Sequence, residues 1–165
     1  MQSTRSLHLR GSNVLPIREF ESIFNLGICY ENGDGVAIDE ILAFKCYKKA
    51  ADAGIVPAQR NVGLFYKNGT GVKVDMVKGV KWFRKAAESG NEDASCDLAL
   101  ALRFGKGVAI DLVESFKWLK VAAEGGKSEA QWYLSIAYRS GEGVAINDLE
   151  ADRWARIVLR GLHPQ

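Results

Sequence analysis

Residues 58–93, AQRNVGLFYKNGTGVKVDMVKGVKWFRKAAESGNED, describe two helices joined by a glycine turn. Ala58, Val62, Leu64, Phe65 and Tyr66 recur at mixed three- and four-residue spacing, the period of an amphipathic helix. The run stops at Asn68-Gly69-Thr70-Gly71. Gly69 suits the left-handed position that ends a helix, and Gly71 lets the backbone turn tightly. Asp75 then caps a second helix, its carboxylate accepting amide hydrogens that the first turn leaves unpaired. Val77, Val80, Trp82, Phe83, Ala86 and Ala87 follow, and Gly90 closes the hairpin.

This hairpin recurs. Blocks of 36 residues start at Ser22, Ala58, Ala94 and Ala130. Gly33, Gly69, Gly105 and Gly141 keep that spacing, as do Gly35, Gly71, Gly107 and Gly143, each of the latter followed by Val. Asp39, Asp75, Asp111 and Asn147 form a capping column, with Asp111/Glu114 and Asn147/Glu150 at capping-box spacing. A fixed period of this length marks stacked supersecondary units. Gly27, Gly63 and Ala99 fall mid-helix, where glycine costs about 1 kcal/mol relative to alanine. A neighbouring helix is therefore expected to pass too close for a side chain. The pairs Ala50-Ala51, Ala86-Ala87 and Ala122-Ala123 meet the same need, while Tyr30, Tyr66, Tyr138, Trp82, Trp118 and Trp154 fill the remaining space. A buried aromatic removes on the order of 150–250 Å² from water, which one hairpin alone cannot shelter, so the units must stack.

Composition narrows the function. Residues 1–18 hold Arg5, Arg10 and Arg18 and no acid; of the chain's 22 basic residues this leaves 19 against 20 acids. So balanced a chain lacks the charge profile of a nucleic-acid binder. No apolar run nears the roughly 18 residues of a membrane-spanning helix. The segment 1–19 reads as a flexible basic leader, and 20–165 as the repeat domain. Cytoplasmic residence is expected, with an organellar address through the basic, serine-containing leader as the alternative. Cys29, Cys46 and Cys96 follow no disulfide framework and read as buried apolar residues of a reducing compartment, although a Cys29–Cys46 bridge within one hairpin stays open.

Catalytic groups do not converge. His8 and His163 lie in the two tails, so neither a Cys–His pair nor a Ser-His-Asp set can form within the repeats, and no closely spaced Cys or His pairs offer a zinc site. The Gly-x-Gly loops lack the lysine and preceding strand of a phosphate-binding loop. No cofactor, metal or enzymatic role is expected.

These residues resemble the Sel-1-like repeat, a relative of the tetratricopeptide repeat. The resemblance is carried by Leu26-Gly27, Tyr30, Gly33-Asp34-Gly35-Val36, Asp39, Tyr47 and Ala50-Ala51-Asp52-Ala53-Gly54, and again by Val62-Gly63, Tyr66, Gly69-Thr70-Gly71-Val72, Asp75, Trp82-Phe83 and Ala86-Ala87-Glu88-Ser89-Gly90. Leu102 and Ser135 depart from it, as do Val158, Leu159 and Leu162 in the last helix. The larger apolar groups there are expected to fold back and cap their own repeat, a contact surface being the rival reading. Cysteine-rich members of the group are linked to β-lactam hydrolysis, but they carry paired cysteines in each repeat, which this chain lacks.

The resemblance implies an all-α, right-handed α/α superhelix, a solenoid of four helix-turn-helix repeats whose first helices line a concave face. It implies a protein-binding adaptor or scaffold. By analogy with tetratricopeptide grooves, the lining includes Phe24, Arg60, Cys96 and Trp132 in one column and Asn25, Asn61, Asp97 and Tyr133 in the next. A third column holds Glu31, Lys67, Arg103 and Arg139, whose three cations would form a stripe able to take carboxylates of an acidic partner peptide. The alternative function is self-association through the C-terminal helix.

Overall fold

The computed structural model describes residues 16–162; His8 and His163 lie outside them. Eight helices follow one another, and there is no strand among the described residues: α1 (Ile17–Asn32), α2 (Glu40–Asp52), α3 (Val56–Asn68), α4 (Met76–Glu88), α5 (Glu92–Phe104), α6 (Leu112–Glu124), α7 (Ser128–Ser140) and α8 (Asp148–Leu162). Consecutive helices pair as four hairpins, and each hairpin's second helix packs on the next hairpin's first. Helix α1 begins within the stretch assigned to the leader. The blocks drawn at Ala58, Ala94 and Ala130 begin two residues inside α3, α5 and α7.

One turn design serves every hairpin. Gly69 adopts φ +75° and its amide donates to the Phe65 carbonyl at 2.8 Å. Asp75 N–H donates to the Tyr66 carbonyl at 2.9 Å, while the Asp75 carboxylate accepts from Lys78 N–H at 2.9 Å. Asp39, Asp111 and Asn147 cap α2, α6 and α8 in the same way. The capping boxes are only half formed. Glu114 is engaged by Arg84 and, at 3.2 Å, by the Trp118 indole N–H, and Glu150 faces Arg153, so neither glutamate returns to its cap.

The core runs through the junctions between repeats as well as within each hairpin. Tyr47, Ala50 and Ala51 of α2 bury against Ala58, Val62 and Phe65 of α3. Val80, Phe83, Ala86 and Ala87 of α4 meet Ala94, Leu98, Ala101 and Leu102 of α5. Leu119, Ala122 and Ala123 of α6 meet Ala130 and Leu134 of α7. Trp118 packs against two of these clusters and Trp82 against the preceding one, so the tryptophans join repeats. The mid-helix glycines are required: a Cβ on Gly63 would lie 2.5 Å from the buried Phe83 ring, and one on Gly27 2.8 Å from Tyr47.

The second loop glycine makes the tightest approach. A Cβ at Gly71, Gly107 or Gly143 would overlap the carbonyl of Glu40, Met76 or Leu112, in the first turn of the preceding hairpin's second helix. No hairpin precedes Gly35 among the described residues, and it meets nothing within 4 Å.

The C-terminal end departs from the expected self-cap. Without a glycine at the position of Gly54, Gly90 and Gly126, α8 continues through Leu162; Leu159 stands exposed instead of folding back, Val158 is half-buried, and the Leu162 side chain lies outside the described ones.

All four of these glycines have positive φ, so alanine at Gly35 costs only the left-handed strain, about 1–2 kcal/mol. Gly71→Ala adds the overlap with Glu40 and is expected to cost about 1–3 kcal/mol more. Urea unfolding of the two variants measures the difference; equal losses would contradict the close approach.

Candidate partner-binding surface

The first helices α1, α3, α5 and α7 form one layer, in which side chains reach from α3 to α5 and from α5 to α7. Arg60 Nε on α3 donates to Asp97 Oδ2 on α5 at 2.9 Å, and Lys67 Nζ lies 3.9 Å from Asp97 Oδ1. Burial raises the Asp97 carboxyl above the usual range, opposed chiefly by the Arg60 charge. Cys96, one residue earlier, lies 4.0 Å from Glu129 of α7. Burial and then the Glu129 charge push its thiol up to about 12, which leaves a small apolar group with no nucleophilic role at neutral pH. Phe104 of α5 meets Tyr133 of α7 edge-on at 6.0 Å, with the Arg103 guanidinium 5.2 Å from the Tyr133 ring centre.

These contacts enclose a cavity of about 240 Å³, lined by Lys67, Asp97, Leu100, Phe104, Lys106 and Tyr133 among others. Of the residues expected on this surface, Lys67 and Tyr133 line it directly, Arg60 holds Asp97 in place, and Trp132 stands half-exposed on α7. Asn25 is exposed and Asn61 half-buried on α1 and α3. Phe24 lies farther off, half-buried with its ring 5.6 Å from Tyr47. Glu31 accepts the hydrogen bond of the Tyr47 hydroxyl, whose acidity burial and that carboxylate suppress.

The cation stripe has its own counterions. Lys67 faces Asp97, Arg103 pairs with Glu142 in the following repeat's turn, and Arg139 pairs with Asp152 of α8 at 2.6 Å. The sequence reading did not find Phe104 or Lys106. Phe104 was visible as a departure, an aromatic residue in a column otherwise filled by Asn32, Asn68 and Ser140. The acids that pair the stripe were not visible, because Glu142 and Asp152 lie in a turn and on a second helix that periodicity does not bring to it.

The stripe members differ in what they hold. Arg103 has a side chain only 13% exposed, so Arg103→Glu sets two carboxylates together and is expected to cost about 2–3 kcal/mol. Arg139 is exposed, and its reversal is expected to cost under about 1 kcal/mol. Thermal and urea unfolding of both variants check the contrast; equal effects would contradict it.

Comparisons with known proteins agree with this geometry. A profile described as "Sel1 repeat" matches residues 20–55, 56–91, 92–127 and 128–156. A Sel1 repeat protein from Oxalobacter formigenes is similar in structure, with 38% identity and a TM-score of 0.79 over 86% of this chain and 58% of that one. A protective antigen of uropathogenic Escherichia coli with an SLR fold gives 30% identity and a TM-score of 0.82, over 91% of this chain and 34% of that one. Cysteine rich protein B of Helicobacter pylori gives 25% identity and a TM-score of 0.58, over 69% of this chain and 88% of that one. The chain thus spans little more than half the length of the first of these and about a third of the second. No curated protein sequence matches it. No helix among the described residues is long and apolar enough to cross a membrane. Sel1-repeat proteins generally act as non-catalytic scaffolds for protein–protein interaction. With four matched repeats on a 36-residue period and eight helices in solenoid order, the chain belongs to the Sel1 repeat family.

Proposed function

We propose that the chain is an adaptor that holds a segment of a partner protein along the layer of first helices, centred on the cavity between α3, α5 and α7. The observation that carries this reading is the cavity itself, where Phe104 and Tyr133 offer an apolar wall beside Lys67, Lys106 and Asp97. Apolar groups with a few convergent polar ones are what a recognition pocket requires. Trp132 extends the aromatic surface, while Arg60, Asn61 and Arg103 position it; Phe24, Asn25 and Arg139 lie at its margins. Because Arg103 and Arg139 are already neutralised, the partner is recognised through an apolar anchor flanked by polar groups more than through a row of acids. The lining varies from repeat to repeat while the turn glycines, and the alanine pairs of the first three repeats, do not, which lets recognition change without disturbing the stack.

Trp132→Ala combined with Lys67→Glu changes two exposed groups on this face. Proteins retained by the native chain in a pull-down read by mass spectrometry are expected to be lost from the variant, with helical circular dichroism unchanged. The same set retained by both would refute the assignment.

Exposure at the C-terminal helix favours a second reading, in which the chain self-associates. Leu149 is 80% exposed and Leu159 also faces solvent. Light scattering is then expected to show a mass that rises with concentration and no longer does so in Leu159→Lys. A monomer at every concentration would dismiss this reading.

A further inference from the structure

The second helices α2, α4, α6 and α8 carry the opposite charge balance to the first. They hold 12 of the chain's 22 Lys and Arg residues against eight acids, whereas the first helices hold five against seven. Their cations are also ordered. Lys45, Lys81, Lys117 and Arg153 recur one repeat apart, all exposed. Among the described residues Lys45, Lys81 and Lys117 have no carboxylate within 4.0 Å, and Arg153 has only Glu150 of its own helix, at 3.3 Å.

A second row runs beside the first. Four residues before each cation stands an aliphatic side chain, Ile41, Val77, Val113 or Leu149, every one more than half exposed. Residues four apart share one helix face with Cβ atoms about 6 Å apart. The four helices lie side by side: Lys48 of α2 lies 5.2 Å from the Trp82 ring of α4, Arg84 of α4 pairs with Glu114 of α6, and Lys120 of α6 and Trp154 of α8 line one pocket. Two depressions of the described surface, about 490 and 510 Å³, open on this same face along α6 and α8.

We propose that this outer face is a second docking surface, and that its occupant is an acidic peptide segment of a partner protein, lying across α2, α4, α6 and α8. In an extended chain successive side chains point to opposite sides. A segment alternating acidic and aliphatic residues therefore sets carboxylates over the cation row and aliphatic groups over the apolar row. Spaced about 10 Å or more from one another, the second helices give rows on the order of 30 Å or longer, which about ten to twelve extended residues span. Charge complementarity selects this face: the cations of the first-helix stripe are each paired, while the row of Lys45, Lys81 and Lys117 is open. Nucleic acid would use the cations and leave the aliphatic row without a role, and a lipid surface, which takes up both rows, is separated by the vesicle arm of the test.

The test is fluorescence anisotropy with a fluorescein-labelled peptide of six Glu-Val repeats on the full chain. The peptide is expected to bind, and Lys81→Glu/Lys117→Glu to weaken it about tenfold or more, both positions being exposed and unpaired so that thermal stability is kept. Val77→Ser/Val113→Ser is expected to weaken it as well, whereas Trp132→Ala/Lys67→Glu on the first-helix face leaves it unchanged, so failure here and failure of the groove above are separately visible. No binding of the peptide to the native chain, equal binding by the lysine or valine variants, or tighter binding of phosphatidylserine vesicles or duplex DNA would each overturn the proposal.

Discussion

Everything in this molecule depends on how closely one hairpin can approach the next. The second glycine of the second, third and fourth turns sets its backbone against the first turn of the preceding second helix, at a distance that admits no Cβ. The alanine pairs let α2, α4 and α6 settle on the following first helices, and the buried rings Tyr47 and Phe83 fill what remains. Within each hairpin the fit is a trade of volumes. The first-helix column runs Gly27, Gly63, Ala99, Ser135, and the facing second-helix column runs Tyr47, Phe83, Leu119, Ala155. As one side grows the other shrinks, which holds helix spacing constant while the sequence drifts, as close-packed interiors require.

Such a stack separates structure from recognition. Its core runs through three junctions, each built by two neighbouring repeats, so the outward positions of both helix layers are free to differ. The two layers have diverged in character. The first-helix layer is knit by ion pairs between successive helices and gathers its aromatic groups around one cavity between α5 and α7. The second-helix layer leaves cations unpaired and aliphatic groups half-exposed. A solenoid with two unlike faces presents two distinct surfaces, which is its advantage over a compact domain of equal length.

The fold was legible because its determinants are local and repeated. Turn glycines, capping aspartates and alanine pairs act within a few residues of themselves, and four copies made each pattern unmistakable. The surface was less legible because it depends on partners distant in sequence. Nothing local shows that Asp97 answers Arg60, 37 residues earlier, or that Arg103 is consumed by Glu142. Glu114 illustrates the same limit at shorter range: its spacing suits a capping box, yet Arg84 from the neighbouring repeat draws it away. Leu159 marks a third kind of miss, since the need for a soluble end argued for folding back, while the absent closing glycine simply lets the helix run on.

Native-state hydrogen exchange on the intact chain tests the stacking account most directly. If each repeat is held only by its neighbours, protection must be greatest in α3 to α6 and fall toward α1 and α8, the two ends of the described stack. Uniform protection along the chain, or slowest exchange in a terminal helix, would show a single cooperative core and contradict it.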